Sequence, residues 1–189
     1  MLTFEETTNF TMDLEITSIK QLIANLNECD EEGYKKIVNR INIPLSAYTA
    51  YAFFEENTYT RNCINRTDDY ELILLCWDKA EETAIHCHNN QECWVYVLKG
   101  EFQEERFQET EKGLEVKQEL DLMEEGVSYM NDDMGYHRLA NSESSRGMSL
   151  HLYMNPIDEC NVYNPKSEEF ELTAMEYHSY KGELLKVEV

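Results

Sequence analysis

The chain has 189 residues, of which 42% are hydrophobic and 29% charged, and 16 basic against 38 acidic side chains give a formal net charge of −22. That is the composition of one soluble domain with a real core; it excludes a disordered chain, and no stretch approaches the roughly 18 consecutive apolar residues of a membrane span. A surface this acidic repels phosphate backbones and anionic headgroups, so neither nucleic acid nor a membrane is expected as a partner.

In chain order, residues 1–12 are polar and unpatterned and read as a loose arm. Ile19, Leu22, Ile23 and Leu26 then recur with the helical period, and Ser18 with Gln21 three residues on reads as a capping box. Tyr34, Ile37, Val38 and Ile41 predict a second helix, whose acidic start at Asp30-Glu31-Glu32 suits the helix dipole. Pro44 interrupts, and Ser46 could cap a third short helix through Tyr48, Tyr51 and Ala52. After about residue 68 the character changes. Glu71–Trp77 and Glu92–Leu98 read as buried strands, followed by Glu101–Phe107 and by segments near 114–120, 127–131, 136–140, 147–154 and 168–177. Glycines at 100, 113, 126, 135 and 147 punctuate them. Many short strands with regular turn signals predict an all-β fold with a few N-terminal helices. We expect one domain over 1–189, with a helical cover at 1–55 and a small β-barrel at 68–180.

The six cysteines, at 29, 63, 76, 87, 93 and 160, form no CxxC pair and no dense framework. The start, Met1-Leu2-Thr3-Phe4-Glu5-Glu6, has neither a basic nor an apolar leader region, so a secretory signal is not expected. The thiols therefore read as reduced, in a cytoplasmic protein, which is expected to be a monomer.

His86 and His88 are two residues apart. On a strand their side chains leave the same face, where two imidazoles can share a metal; the alternative is a pair of partly exposed strand histidines. Four residues follow, then Cys93, six more, then Gly100. A second segment, Gly135-Tyr136-His137-Arg138-Leu139-Ala140-Asn141, carries a His and an Asn with three residues between them. The two segments resemble the paired metal motifs of cupins, small jelly-roll β-barrels with a metal in the lumen, except that Cys93 stands where most cupins carry a ligand Glu.

With its neighbours, that departure resembles the cysteine dioxygenase family. The segments that carry the resemblance are Tyr59-Thr60-Arg61-Asn62, Leu75-Cys76-Trp77, His86-Cys87-His88 with Cys93 and Gly100, Asn131-Asp132, Gly135-Tyr136-His137-Arg138, Ser149-Leu150-His151-Leu152-Tyr153, Asp158-Glu159-Cys160, and Met175-Glu176-Tyr177-His178-Ser179. The resemblance runs from about Pro44 to Tyr180. The resemblance implies a mononuclear Fe(2+) held by His86, His88 and His137. It implies a cytosolic activity in cysteine catabolism that adds both atoms of O2 to the sulfur of L-cysteine, giving 3-sulfinoalanine. Three neutral imidazoles leave the full charge on the ion and favour a substrate that brings its own anion, and a metal-bound thiol is deprotonated.

The same resemblance assigns Arg61 to the substrate carboxylate, a group the guanidinium fork fits with two bonds. Read alone, Arg61 is a surface residue on a polar loop. Related dioxygenases acting on 3-mercaptopropionate usually carry Gln there, so Arg points to L-cysteine. Tyr59 could add a hydroxyl on the same face. Ser149, His151 and Tyr153 alternate with Leu150, Leu152 and Met154, and their polar face points either to solvent or into a lumen; the family implies a hydrogen-bonded row ending at Tyr153. Cys93 reads alone as a small buried hydrophobe, and by resemblance as the partner of Tyr153 in a thioether. Met154-Asn155-Pro156 departs from the Ser-Pro-Pro common in the family. The rival functions are a dioxygenase for another small thiol, 3-mercaptopropionate or cysteamine, and a non-catalytic metal-binding cupin.

Overall fold

A computed structural model describes residues 14–29 and 33–186. The polar arm at 1–12 and the acidic start at 30–32 lie outside the described residues.

Helix α1 (Ile19–Glu28) starts where its cap predicts: Ser18 is extended, and its Oγ accepts the Gln21 N–H at 3.2 Å. The reciprocal half of the box goes elsewhere, because Gln21 Oε1 accepts from the N–H and the hydroxyl of Thr17, each at 3.0 Å. Helix α2 (Gly33–Val38) buries Tyr34, Ile37 and Val38. The third helix is a 3₁₀ segment, Leu45–Tyr51, that begins one residue before Ser46 and has Pro44, not a side chain, at its cap.

The strands are β1 (Tyr59–Arg66), β2 (Tyr70–Trp77), β3 (Cys93–Lys99), β4 (Phe102–Thr110), β5 (Gly113–Leu122), β6 (Val127–Met130), β7 (Tyr136–Asn141), β8 (Gly147–Met154), β9 (Glu159–Asn164), β10 (Glu169–Ala174), β11 (Ser179–Tyr180) and β12 (Glu183–Leu184). One sheet has the order β12-β11-β1-β2-β8-β3-β6. Facing it are β5-β4-β7 and the β9–β10 hairpin, joined through His86, which pairs with His137 on β7 and with Val162 on β9. The two faces form a jelly-roll-like sandwich and do not close into a continuous barrel.

Regular strand begins at Tyr59, ahead of the change in character near residue 68. β1 and β9 carry no run of apolar residues, and the segment expected as one strand over 168–177 ends at Ala174.

β2 is buried along its whole length because it is covered on both faces, which is why it reads as a continuous apolar run. On the outer face Leu72, Leu74 and Cys76 join Trp94, Tyr96, Leu150 and Leu152 under the helices. On the inner face Ile73, Leu75, Trp77, Cys93, Val95 and Val97 pack with Phe102, Leu139 and Tyr153. Each fully buried Leu or Ile contributes roughly 1.5–3 kcal/mol of transfer free energy, so two separate apolar layers hold the large sheet. Among the described residues no helix is long and apolar enough to cross a membrane, and none of the cysteines forms a disulfide.

Candidate metal centre and its cavity

The His-x-His segment is not part of a regular strand. His86 sits in an isolated antiparallel bridge, exchanging both backbone hydrogen bonds with His137 at 3.0 Å each. Cys87 N–H donates to the Asn161 carbonyl at 3.2 Å, and the Cys87 side chain is buried in the core. The chain then turns away through Asn89 and Asn90, both left-handed. Asp132 holds that turn, accepting from the N–H of His88 at 2.8 Å and of Asn90 at 2.7 Å. So the shared face expected of a strand is obtained by one bridge and one anchored turn.

One nitrogen from each of His86, His88 and His137 lies within 4.8 Å of the others. His137 Nε2 and His88 Nε2 are 3.0 Å apart, roughly the spacing of two ligands at right angles about an ion with bonds of about 2.1 Å. The other ring nitrogens of His86 and His137 are committed outward, and His88 Nδ1 is buried without a hydrogen-bond partner among the described residues. His86 Nδ1 lies 2.9 Å from the Ala84 carbonyl and His137 Nδ1 lies 3.0 Å from Glu104 Oε1. Carbonyl and carboxylate only accept, so both Nδ1 atoms carry a proton, which in a neutral ring leaves the lone pair on Nε2. Burial and the neighbouring His137 push His86 down to about 3, and burial lowers His88 well below the usual imidazole range. Three imidazole nitrogens converging on one point fit a divalent transition metal, and this donor set suits iron, zinc, copper and nickel alike.

Glu104 on β4 was hidden in an acidic stretch of sequence. It is 1% exposed. Burial alone would raise its carboxyl, but hydrogen bonds from His137, Ser128 and Arg106 outweigh this and hold it at about 2. The Arg106 guanidinium lies 3.2 Å from Oε1 and 3.3 Å from Oε2. Glu104 is thus a fixed anion behind one ligand, in the arrangement that sets ring orientation and basicity at metal sites.

A cavity of 160 Å³ opens beside the cluster, lined by Tyr59, Arg61, His86, His137, His151, Tyr153 and Cys160 together with Leu75, Leu139, Val162 and Met175. Arg61 stands on β1, not on a loop, opposite Leu75. Its side chain is 12% exposed, and its Nε and Nη2 are buried with no hydrogen-bond partner among the described residues. Its backbone N–H donates to His178 Nδ1 at 3.0 Å.

The alternating row on β8 faces the inside. Trp77 Nε1–H donates to Ser149 Oγ at 2.9 Å, Ser149 Oγ lies 2.8 Å from His151 Nε2, and His151 Nδ1 lies 3.5 Å from the Tyr153 hydroxyl. Trp77 is therefore the start of this row. Cys93 and Tyr153 are direct cross-strand partners on β3 and β8. Burial raises both well above their usual values, so the pair is thiol and phenol. After β8 Asn155 is left-handed, and no cis peptide bond occurs among the described residues.

A cavity bordered by a three-histidine cluster, a buried arginine and a hydrogen-bonded tyrosine defines a small-molecule site with a candidate metal centre. The family model for cysteine dioxygenase type I matches residues 5–166. The cysteine dioxygenase type 1 of Homo sapiens is 30% identical over 172 residues, covering 88% of this chain and 86% of that protein; the Rattus norvegicus protein of the same name is 29% identical over the same shares. A cupin superfamily protein from Desulfitobacterium hafniense is similar with a TM-score of 0.45 and 18% identity, over 60% of this chain and 89% of that one. The chain belongs to the cysteine dioxygenase type I family of enzymes.

Proposed function

We propose that this enzyme converts L-cysteine and O2 to 3-sulfinoalanine at a ferrous ion held by His86, His88 and His137. The observation that carries the reading is Arg61, which lines the same cavity as His86 and His137 and whose buried Nε and Nη2 have no hydrogen-bond partner among the described residues. A buried donor without an acceptor costs free energy unless a ligand supplies one. A carboxylate supplies two acceptors in the right geometry. The sulfur loses four electrons and O2 gains four, so no further reductant is needed.

When bound, the ion would bring thiol and O2 together and supply the redox chemistry. The residues of the chain do the rest. Arg61 binds the carboxylate, and Tyr59 borders the same pocket. Trp77 only donates, so it occupies a lone pair of Ser149 Oγ and leaves that hydroxyl free to donate to His151 Nε2. Burial keeps His151 neutral. Its one proton then sits on Nδ1 and points at the Tyr153 oxygen, and the phenol proton is turned toward the cavity and the substrate. Leu75, Leu139, Val162 and Met175 limit water around the reacting sulfur.

Cys93 and Tyr153 are proposed to join during turnover. The thiol loses its hydrogen, a ring carbon beside the phenol oxygen loses another, a C–S bond forms, and O2 accepts the two electrons and two protons. Cross-strand pairing supports this, since directly opposed side chains are the closest across a sheet. The bond would lock the phenol ring and remove a thiol from the metal's surroundings. We further propose that the protein acts as a monomer in the cytoplasm, where its thiols stay reduced. The test is anaerobic iron loading followed by O2 uptake with L-cysteine, 3-mercaptopropionate and cysteamine and identification of each product. Turnover of L-cysteine to its sulfinic acid is expected; preference for 3-mercaptopropionate or cysteamine would overturn the substrate assignment.

A further inference from the structure

Behind Arg61 lies a second set of groups that the reaction itself does not use. Glu71, on β2 directly opposite Tyr153, is 0% exposed. Its Oε1 is 3.7 Å from Arg61 Nη2, close enough for charge attraction and too far for a hydrogen bond. Both carboxylate oxygens already have donors. The Ile157 N–H reaches Oε2 at 2.9 Å, and the Tyr177 hydroxyl donates to Oε1. The direction of that last bond is fixed from outside. Arg66 Nη1 donates to the Tyr177 oxygen at 2.9 Å, and an arginine cannot accept, so the phenol proton must go to Glu71. Arg66 is held in turn by Asp158 at 2.7 Å. The Tyr177 ring lies 6.0 Å from the Arg61 guanidinium carbon, within cation–π range.

We infer that Glu71 and Tyr177 are positioning residues that set the strength of carboxylate recognition by Arg61. Glu71 supplies the counter-charge that lets a guanidinium stay buried, while Tyr177 occupies the oxygen that would otherwise capture it. Arg61 is thereby neutralised without being consumed: its Nε and Nη2 protons stay free for a carboxylate arriving in the cavity. The device extends through Arg66 and Asp158 toward the surface, on the far side of Tyr177 from the reacting groups.

This has a direction that simple packing does not. Removing the Tyr177 hydroxyl while keeping its ring frees Glu71 Oε1 to accept directly from Arg61. Glu71 then competes with the substrate. The inference rests on Arg61 being the carboxylate site, so the test separates the two. Dissociation constants of L-cysteine and cysteamine are measured by anaerobic titration calorimetry on the iron-loaded full chain, for the wild type, Tyr177→Phe, Arg61→Ala and the double variant. Glu71→Gln, which removes the counter-charge but keeps one acceptor, is run beside them.

Tyr177→Phe should weaken L-cysteine about tenfold, the lower end of what a hydrogen bond to a charged group contributes. Cysteamine, which has no carboxylate, should change less than about twofold on the same scale. In the Arg61→Ala background the effect of Tyr177→Phe on L-cysteine should vanish, because nothing is left to capture. Glu71→Gln should restore the affinity of Tyr177→Phe when the two are combined, since a neutral amide holds Arg61 less tightly than a carboxylate. Equal weakening of both thiols by Tyr177→Phe, or the same loss with and without Arg61, would overturn the positioning role and leave Arg61 as the carboxylate site. Equal weakening of both thiols by Arg61→Ala would overturn the Arg61 assignment itself.

Discussion

Glu104 and Arg61 show two ways a single side chain can be hard to read. Glu104 lies in Glu101-Phe-Gln-Glu-Glu-Arg-Phe107, where acidic residues read as a solvated face, yet it is buried against His137. Only the register of β4 against β7 brings it there, pairing Glu104 with Leu139 and Arg106 with His137. Because it fixes the ring of His137, a proposed metal ligand, Glu104→Gln should reduce iron affinity about 10–100-fold with the fold intact. Competition with a chelator of known affinity measures this, and an unchanged affinity would remove Glu104 from the metal site. Arg61 was visible through the Tyr-Thr-Arg-Asn motif but not through its surroundings. Arg61→Ala should lower kcat/KM for L-cysteine by about 10²-fold or more, from two charge-assisted bonds of roughly 1.5–3 kcal/mol each. Cysteamine should be much less affected; equal losses in O2-uptake assays would make Arg61 structural.

Apolar elements were the legible ones. β2 and β3 announce themselves as runs of Leu, Ile, Val and aromatic residues, and β8 as an alternation of polar and apolar ones. β1 does not, because its buried Thr60 and Asn62 are polar and are satisfied by neighbouring backbone: Thr60 by the Phe53 carbonyl, Asn62 by the Leu74 carbonyl at 3.2 Å. No pattern of periodicity records such partners. β9 was missed for a related reason, since Glu-Cys-Asn-Val-Tyr-Asn alternates over a half-exposed hairpin. The turn before β7 is a different kind of constraint. Gly135 has φ +96°, and a Cβ there would lie 2.3 Å from the Phe107 carbonyl oxygen. Gly135→Ala must move that backbone, two residues from His137, so it should lower both the melting temperature and the iron content. Wild-type values for both would contradict this. The β3–β8 register makes its own prediction. Linked and unlinked protein should run as two bands on reducing gels after turnover, the more compact one linked, and Cys93→Ser should give the unlinked band alone. Peptide mapping that finds only unmodified Cys93 and Tyr153 after extended turnover would remove the crosslink.

For the whole molecule, the two apolar layers are built without the histidines, so the fold does not depend on the metal. Chelator-stripped protein should keep its strand signal and its cooperative unfolding. It should melt about 5–10 °C lower than protein with free iron at a hundredfold excess over Kd, from the roughly 2.7 kcal/mol that such binding contributes. Loss of folding on stripping would mean that the site is structural. The arrangement as a whole places two imidazoles of the three-histidine cluster, a buried arginine whose Nε and Nη2 have no hydrogen-bond partner among the described residues, and Tyr153 around one small cavity, and the claim that follows is chemical. It is tested most directly by supplying ¹⁸O₂ and L-cysteine to anaerobically iron-loaded protein and analysing the product by mass spectrometry. The account predicts 3-sulfinoalanine carrying both labelled atoms, formed in step with O2 consumed. Cystine, a singly labelled product, or no O2 uptake by fully iron-loaded protein would contradict it.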